Sequence, residues 1–188
     1  MSCFQSLSGT PDRTEWHPFH FTYLTHLLPG IASTAAMGHP DDALSFLEVQ
    51  ASDFAALLRE VPPEREAFRY APGKWSLREV VGHLSDTERI LSFRALAAAR
   101  GDTSLVAPFD EETYAQAADH DVLPLSRLGE DLLNVRRSTL SLLSTFRHRD
   151  WRSRGNSGGH PVSARAWAFA IGAHAQLHLT TLRTRYLG

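Results

Sequence analysis

The sequence predicts an all-α protein, an up-and-down four-helix bundle with a long crossover link and an N-terminal arm. Three observations predict it. Four long stretches carry apolar residues at spacings of three and four. Pro, Gly and Asn punctuate the chain between them, and no stretch keeps the alternation that a half-buried strand requires.

The elements follow in order. Asp41 or Asp42 can cap a first helix whose stripe is Leu44, Leu47, Ala51, Phe54, Ala55 and Leu58, ended by Pro62-Pro63. Ser76 followed by Glu79 reads as a capping box and starts a second helix, which stops at Gly101-Asp102. On it Val80, His83, Thr87, Ile90 and Leu91 share one face. The link over 101–124 must cross the bundle, with a short helix of its own over 110–115. Leu125, Leu128, Leu132, Val135, Thr139, Leu142 and Phe146 make the heptad-like seam of a third helix. The stretch 155–161, rich in Gly, Asn and Ser, is a loop by composition. A fourth helix over 163–186 turns Trp167, Ile171, His174, His178 and Leu182 inward.

Two domains of unequal kind are expected: an arm over 1–40 and the bundle over 41–188. Trp16, Phe19, Phe21, Tyr23 and Leu27 make the arm too apolar for a free tail, so it is expected to pack on the bundle or on a second copy. A net charge of −2 gives no general attraction for phosphate backbones or acidic lipid, which disfavours nucleic acid and membrane surfaces as partners. Cys3, the single cysteine, cannot form an internal disulfide, and no apolar run approaches the roughly 20 residues of a membrane span. The expectation is a cytoplasmic protein.

The histidines carry the chemistry. His174 and His178 lie one helical turn apart on an inward stripe, close enough to converge on one ion. His83, inward on another helix, is the candidate third ligand. The competing reading is three satisfied core histidines. Asp86, three residues beyond His83, is the candidate carboxylate that orients it, against a plain solvated side chain; Glu79 already has a capping role. Glu88 and Arg89 read as exposed or inter-helix ion-pair partners, Trp75 as a plug at the helix entrance, and His17, His20, His26 and His39 of the arm with His120, His148 and His160 of the links as surface residues. No phosphate-binding glycine pattern or zinc-protease His-Glu pair is present.

The phrase Tyr70-Ala71-Pro72-Gly73-Lys74-Trp75-Ser76, with Glu79, Gly82-His83-Leu84, Asp86-Thr87-Glu88-Arg89, Phe93-Arg94, Ala99-Arg100-Gly101-Asp102, Pro108-Phe109-Asp110, Arg136-Arg137, His174 and His178-Leu179, resembles the DinB-like proteins. This superfamily includes bacillithiol and mycothiol S-transferases. The resemblance spans roughly 44–187, and Glu15-Trp16-His17-Pro18-Phe19 is similar to the leader of one subgroup. It implies a divalent metal on His83, His174 and His178 at one end of the bundle, and often a homodimer. The function expected is a thiol-dependent S-transferase acting on small electrophiles. Zinc or nickel would be the ion and a low-molecular-weight thiol such as bacillithiol the second cofactor. A metal-dependent hydrolase and a non-enzymatic metal- or ligand-binding bundle are the alternatives. For a substrate, the loops around 109–114 and 155–160 are the expected walls.

Overall fold

The structure, a computed structural model, describes residues 39–106 and 108–188, so nearly all of the expected N-terminal arm lies outside the described residues. Four long helices form the bundle: α1 (Pro40–Glu60), α2 (Leu77–Ala99), α4 (Leu125–Ser144) and α6 (Ala164–Thr181). Two short ones, α3 (Glu111–Ala118) and α5 (His148–Arg152), lie in the connections. A final turn, Leu182–Tyr186, widens to π geometry and carries the last helix to the end expected for it.

Each start has a local cause. The Ser76 hydroxyl accepts from the Glu79 amide at 3.0 Å while Glu79 Oε2 accepts from the Ser76 amide at 2.7 Å, the reciprocal cap that opens α2. The cap of α1 is His39, not Asp41 or Asp42. Pro40 supplies a first helical residue with no N–H to satisfy, so the helix starts earlier, and Asp42 reaches back to the His39 amide at 2.7 Å. Its buried face is Ala43, Leu47, Gln50, Phe54 and Leu57, rotated from the expected stripe because α1 lies in the groove between α4 and α6.

The long helices pack as α1 on α4 and α6, and α2 on the same two, which leaves α1 and α2 on a diagonal. Val80 and Leu84 share a core cluster with Leu125 and Leu128, whereas Leu91 and Ala95 share the other with Leu143. α2 and α4 therefore run in the same direction. The crossover link makes this possible: it carries the chain back along α2 before α4 begins, so strict alternation is broken at that one connection. On α4 the seam is buried as expected through Thr139. Leu143 then replaces Leu142, because the helix ends at Ser144 and Phe146 packs inward from the turn beyond.

The expected loop at 155–161 is instead a hairpin. β2 (Arg154–Ser157) pairs antiparallel with β3 (His160–Ser163), and β1 (Leu105–Val106) adds in parallel beside β2. Gly158 and Gly159, with φ of 60° and 87°, make the turn. Strands of two to four residues are too short for an alternating pattern to register in the sequence.

Candidate metal centre

The capping box fixes where α2 begins, and His83 then falls in its second turn, facing α6. His174 and His178 meet it from the antiparallel side. Nitrogen donors from all three rings lie within 4.8 Å of one another, with His83 Nε2 3.1 Å from His174 Nε2. His83 and His174 are buried, and His178 is half-buried at the rim. Burial, helped by the neighbouring His178 and Arg136, holds the His174 imidazole well below the usual histidine range, so it is a neutral donor. Three imidazoles converging on one point are a donor set that fits a divalent ion.

Asp86 does not take the place expected for it. Its carboxylate lies 3.4 Å from His120 Nε2 and 3.7 Å from Arg89. The group at His83 Nδ1 is the Thr87 hydroxyl, at 3.3 Å. A residue four positions on lies above His83 on the same face, whereas one three positions on is turned toward the link. Trp75 is the entrance plug, 8% exposed, and its ring lies 4.6 Å from that of His83.

His120 is also not a surface residue. It is buried against Gly82, where a Cβ would collide with the imidazole, so glycine beside His83 is what lets the crossover link lie on α2. His148 and His160 are exposed as expected; His17, His20 and His26 lie outside the described residues.

Behind the histidines lies a buried network in which Glu88 is an inter-helix ion-pair partner, one of the two expectations for it. Arg136 of α4 donates Nε to Glu88 of α2 at 2.8 Å and Nη1 to the Leu47 carbonyl and Gln50 Oε1 of α1 at 3.0 and 3.2 Å. Gln50 in turn donates to the Gly172 carbonyl of α6 at 2.8 Å. All four long helices are thus tied at one level. Arg89, by contrast, pairs with Asp131 at the surface.

A pocket of about 240 Å³ opens beside His178, between Tyr70, Lys74 and Trp75 on one side and Thr181, Arg185 and Tyr186 on the other. Neither loop expected to wall a site lines it. Phe109 instead packs near Arg94, and the hairpin lies against the opposite end of α2.

Comparison with known proteins agrees with this geometry. The profile of the DinB superfamily matches residues 47–182. The chain belongs to the DinB superfamily. Within it, the protein GK0616 of Geobacillus kaustophilus, provisionally named a metal-dependent hydrolase, is 30% identical over 139 residues, 71% of this chain and 78% of its own. YfiT of Bacillus subtilis, described as a probable metal-dependent hydrolase with an unusual four-helix bundle topology, superposes with a TM-score of 0.66 at 19% identity, covering 78% of this chain and 86% of YfiT. A mycothiol-dependent maleylpyruvate isomerase superposes with a TM-score of 0.60 at 14% identity, over 78% of this chain and 61% of that one. At these identities the two structures establish the fold this DinB chain shares with them.

Thr87, Lys74 and Arg185 escaped the sequence analysis as site residues. Thr87 sits four residues from His83 and Arg185 seven from His178, and helical spacing was the signal for both. Lys74 carried none, because a turn and not a helix presents it.

Proposed function

We propose that the protein is a divalent-metal enzyme that transfers a small thiol to an electrophile, with zinc or nickel held by His83, His174 and His178. The observation that carries this reading is the convergence of three imidazoles at the wall of an open pocket. A divalent cation bound there supplies Lewis acidity, lowering the pKa of a thiol or water that occupies a remaining position. The chain's own residues prepare the site. Thr87 holds His83 Nδ1 and so keeps Nε2 directed at His174. Trp75 covers the His83 ring and keeps water from that side, and burial keeps His174 unprotonated.

A thiol such as bacillithiol is the cofactor of this reading, supported by the likeness in fold to a mycothiol-dependent isomerase. Hydrolysis by water at the same position is a second reading, favoured by the name of the relative at 30% identity. The deciding assay offers bacillithiol, glutathione and cysteine to a chlorinated aromatic, an epoxide and a maleyl compound. Metal-loaded protein is compared with His178→Ala. Metal-dependent consumption of thiol supports transfer. Metal-dependent cleavage of an ester or amide with no thiol consumed replaces it with hydrolysis, and neither reaction from a protein that still holds its ion leaves a binding bundle.

We further propose a cytoplasmic homodimer. Val49, 60% exposed, and Phe46, 37% exposed, put apolar surface on the outer side of α1, and no helix among the described residues is long and apolar enough to cross a membrane. Light scattering at micromolar concentration, with and without residues 1–40, tests this; a monomeric full-length chain refutes it.

A further inference from the structure

We propose that the pocket beside His178 is a binding site for a small anion, a carboxylate or phosphate on an apolar body, held by Lys74 and Arg185. The inference deepens the metal-enzyme reading by naming a substrate class, and it rests on that reading for its link to catalysis. Its own basis is the chemistry of the pocket wall.

Among the described residues the formally charged side chains that line the pocket are Lys74 and Arg185, with no Asp or Glu. The chain as a whole has a net charge of −2, so this is not a spill-over of general positive charge but a local reversal of sign. Lys74 is held there deliberately. Its carbonyl accepts from Arg69 Nη1 at 2.8 Å and its amide donates to the Ala71 carbonyl at 3.2 Å, which fixes the turn that delivers the side chain. Lys74 is only 9% exposed, yet among the described residues no carboxylate forms an ion pair with its ammonium. A cation whose stem is packed into the pocket wall gains a charge-assisted contact when an anion enters beside it.

Arg185 approaches from the final turn. Its charge lies near enough to Tyr70 to oppose the rise that burial gives that phenol, which places the guanidinium at the same mouth. Trp75, Val80 and Leu177 supply apolar wall in the same pocket as the cations and His178. A volume of about 240 Å³ admits a small molecule and excludes a polymer. An occupant anchored by its anion on Lys74 and Arg185 would lay its apolar body along Trp75, toward the histidines.

Benzoate and phenyl phosphate serve as probes, with benzamide as the neutral counterpart, titrated by calorimetry into the metal-loaded full-length protein. Quenching of tryptophan fluorescence is followed in parallel. At least one anion is expected to bind about tenfold or more tightly than benzamide, as a charge-assisted contact requires. Lys74→Gln and Arg185→Gln are each expected to remove most of that preference while metal content and the helical circular dichroism stay unchanged. The better of the two anions identifies carboxylate or phosphate as the natural group. Equal binding of benzamide, or anion affinity untouched by both substitutions, overturns the proposal.

The same titration on metal-free His178→Ala separates this inference from the function it extends. Lys74-dependent anion binding that survives there upholds the pocket even if the metal reading fails. Anion binding lost with the metal but indifferent to Lys74 and Arg185 places the anion on the ion and overturns the pocket, leaving the metal reading intact.

Discussion

At the scale of single residues, the three histidines are expected to act as one ligand set. His83→Ala, His174→Ala and His178→Ala should each lose most bound metal by elemental analysis of purified protein, and unchanged content in all three would refute the set. Thr87→Val keeps the shape but removes the hydroxyl at His83 Nδ1, so metal affinity should fall about 10- to 100-fold with the fold intact. Glu111 makes a separate prediction. It is buried at the start of α3, and burial next to Asp110 and Glu112 raises its carboxyl from 4.5 to about 8. A raised carboxyl is protonated in the folded protein while the unfolded chain has already ionised, so the folded state binds the extra proton. Stability is full below pH 4.5 and is lost as pH rises toward about 8, by an amount on the order of 4 kcal/mol. Glu111→Gln should therefore match the wild type in urea unfolding near pH 4.5 and exceed it by a few kcal/mol near pH 8.5. A difference between the two that does not change with pH would contradict this origin.

At the scale of the element, α2 carries the site because both its ends and one of its faces are specified locally. Ser76 and Glu79 fix the first turn, and every later position, His83 included, inherits its direction from that register. Gly82 adds a constraint of a different kind, since the ring of His120 occupies the space a side chain would need. Gly82→Ala should push the crossover link away from α2, cost roughly 1–3 kcal/mol as overpacking does, and weaken metal binding through the adjacent His83. Thermal melting and metal titration of the variant check both effects, and a melting temperature equal to that of wild type would show that the link yields freely. The hairpin at Arg154–Ser163 is the opposite case. Its strands are too brief to announce themselves, and they exist because β1 and the end of α2 give them something to lie against.

At the scale of the whole molecule, the Arg136–Glu88–Gln50 network sets how the four helices meet. Glu88 and Arg136 are 3% and 2% exposed, so removing one charge leaves the other buried without its counterion. Glu88→Gln should cost about 3–5 kcal/mol in chemical denaturation, whereas replacing both residues together by apolar ones of similar volume should cost much less. Equal losses in the single and double variants would mean that packing, and not charge, dominates. Because Arg136 also helps to keep His174 neutral, the network connects bundle assembly to the protonation state of a candidate metal ligand.

The sequence by itself determined the four long helices, the cap of α2, the inward histidines and the family. The helices, the cap and the face of the histidines follow from short-range rules: a helix repeats every 3.6 residues, and a cap spans three; the family follows from the resemblance of the motifs. Tertiary structure alone decided the rest. Glu88 and Arg136 are 48 positions apart, and although Glu88 reads as an exposed or inter-helix ion-pair partner, only the packing of α2 on α4 names Arg136 as its partner and buries the two together. Asp86 and Thr87 are neighbours in sequence, and the rotation of α2 against α6 chose the hydroxyl over the carboxylate for His83. Lys74 joins Arg185 across 111 positions only because the final turn folds back on the Trp75 segment, where the Tyr186 hydroxyl donates to the Trp75 carbonyl at 2.8 Å. Contacts within a helix are written in local spacing, whereas contacts between elements depend on which faces meet, and that choice belongs to the assembled core.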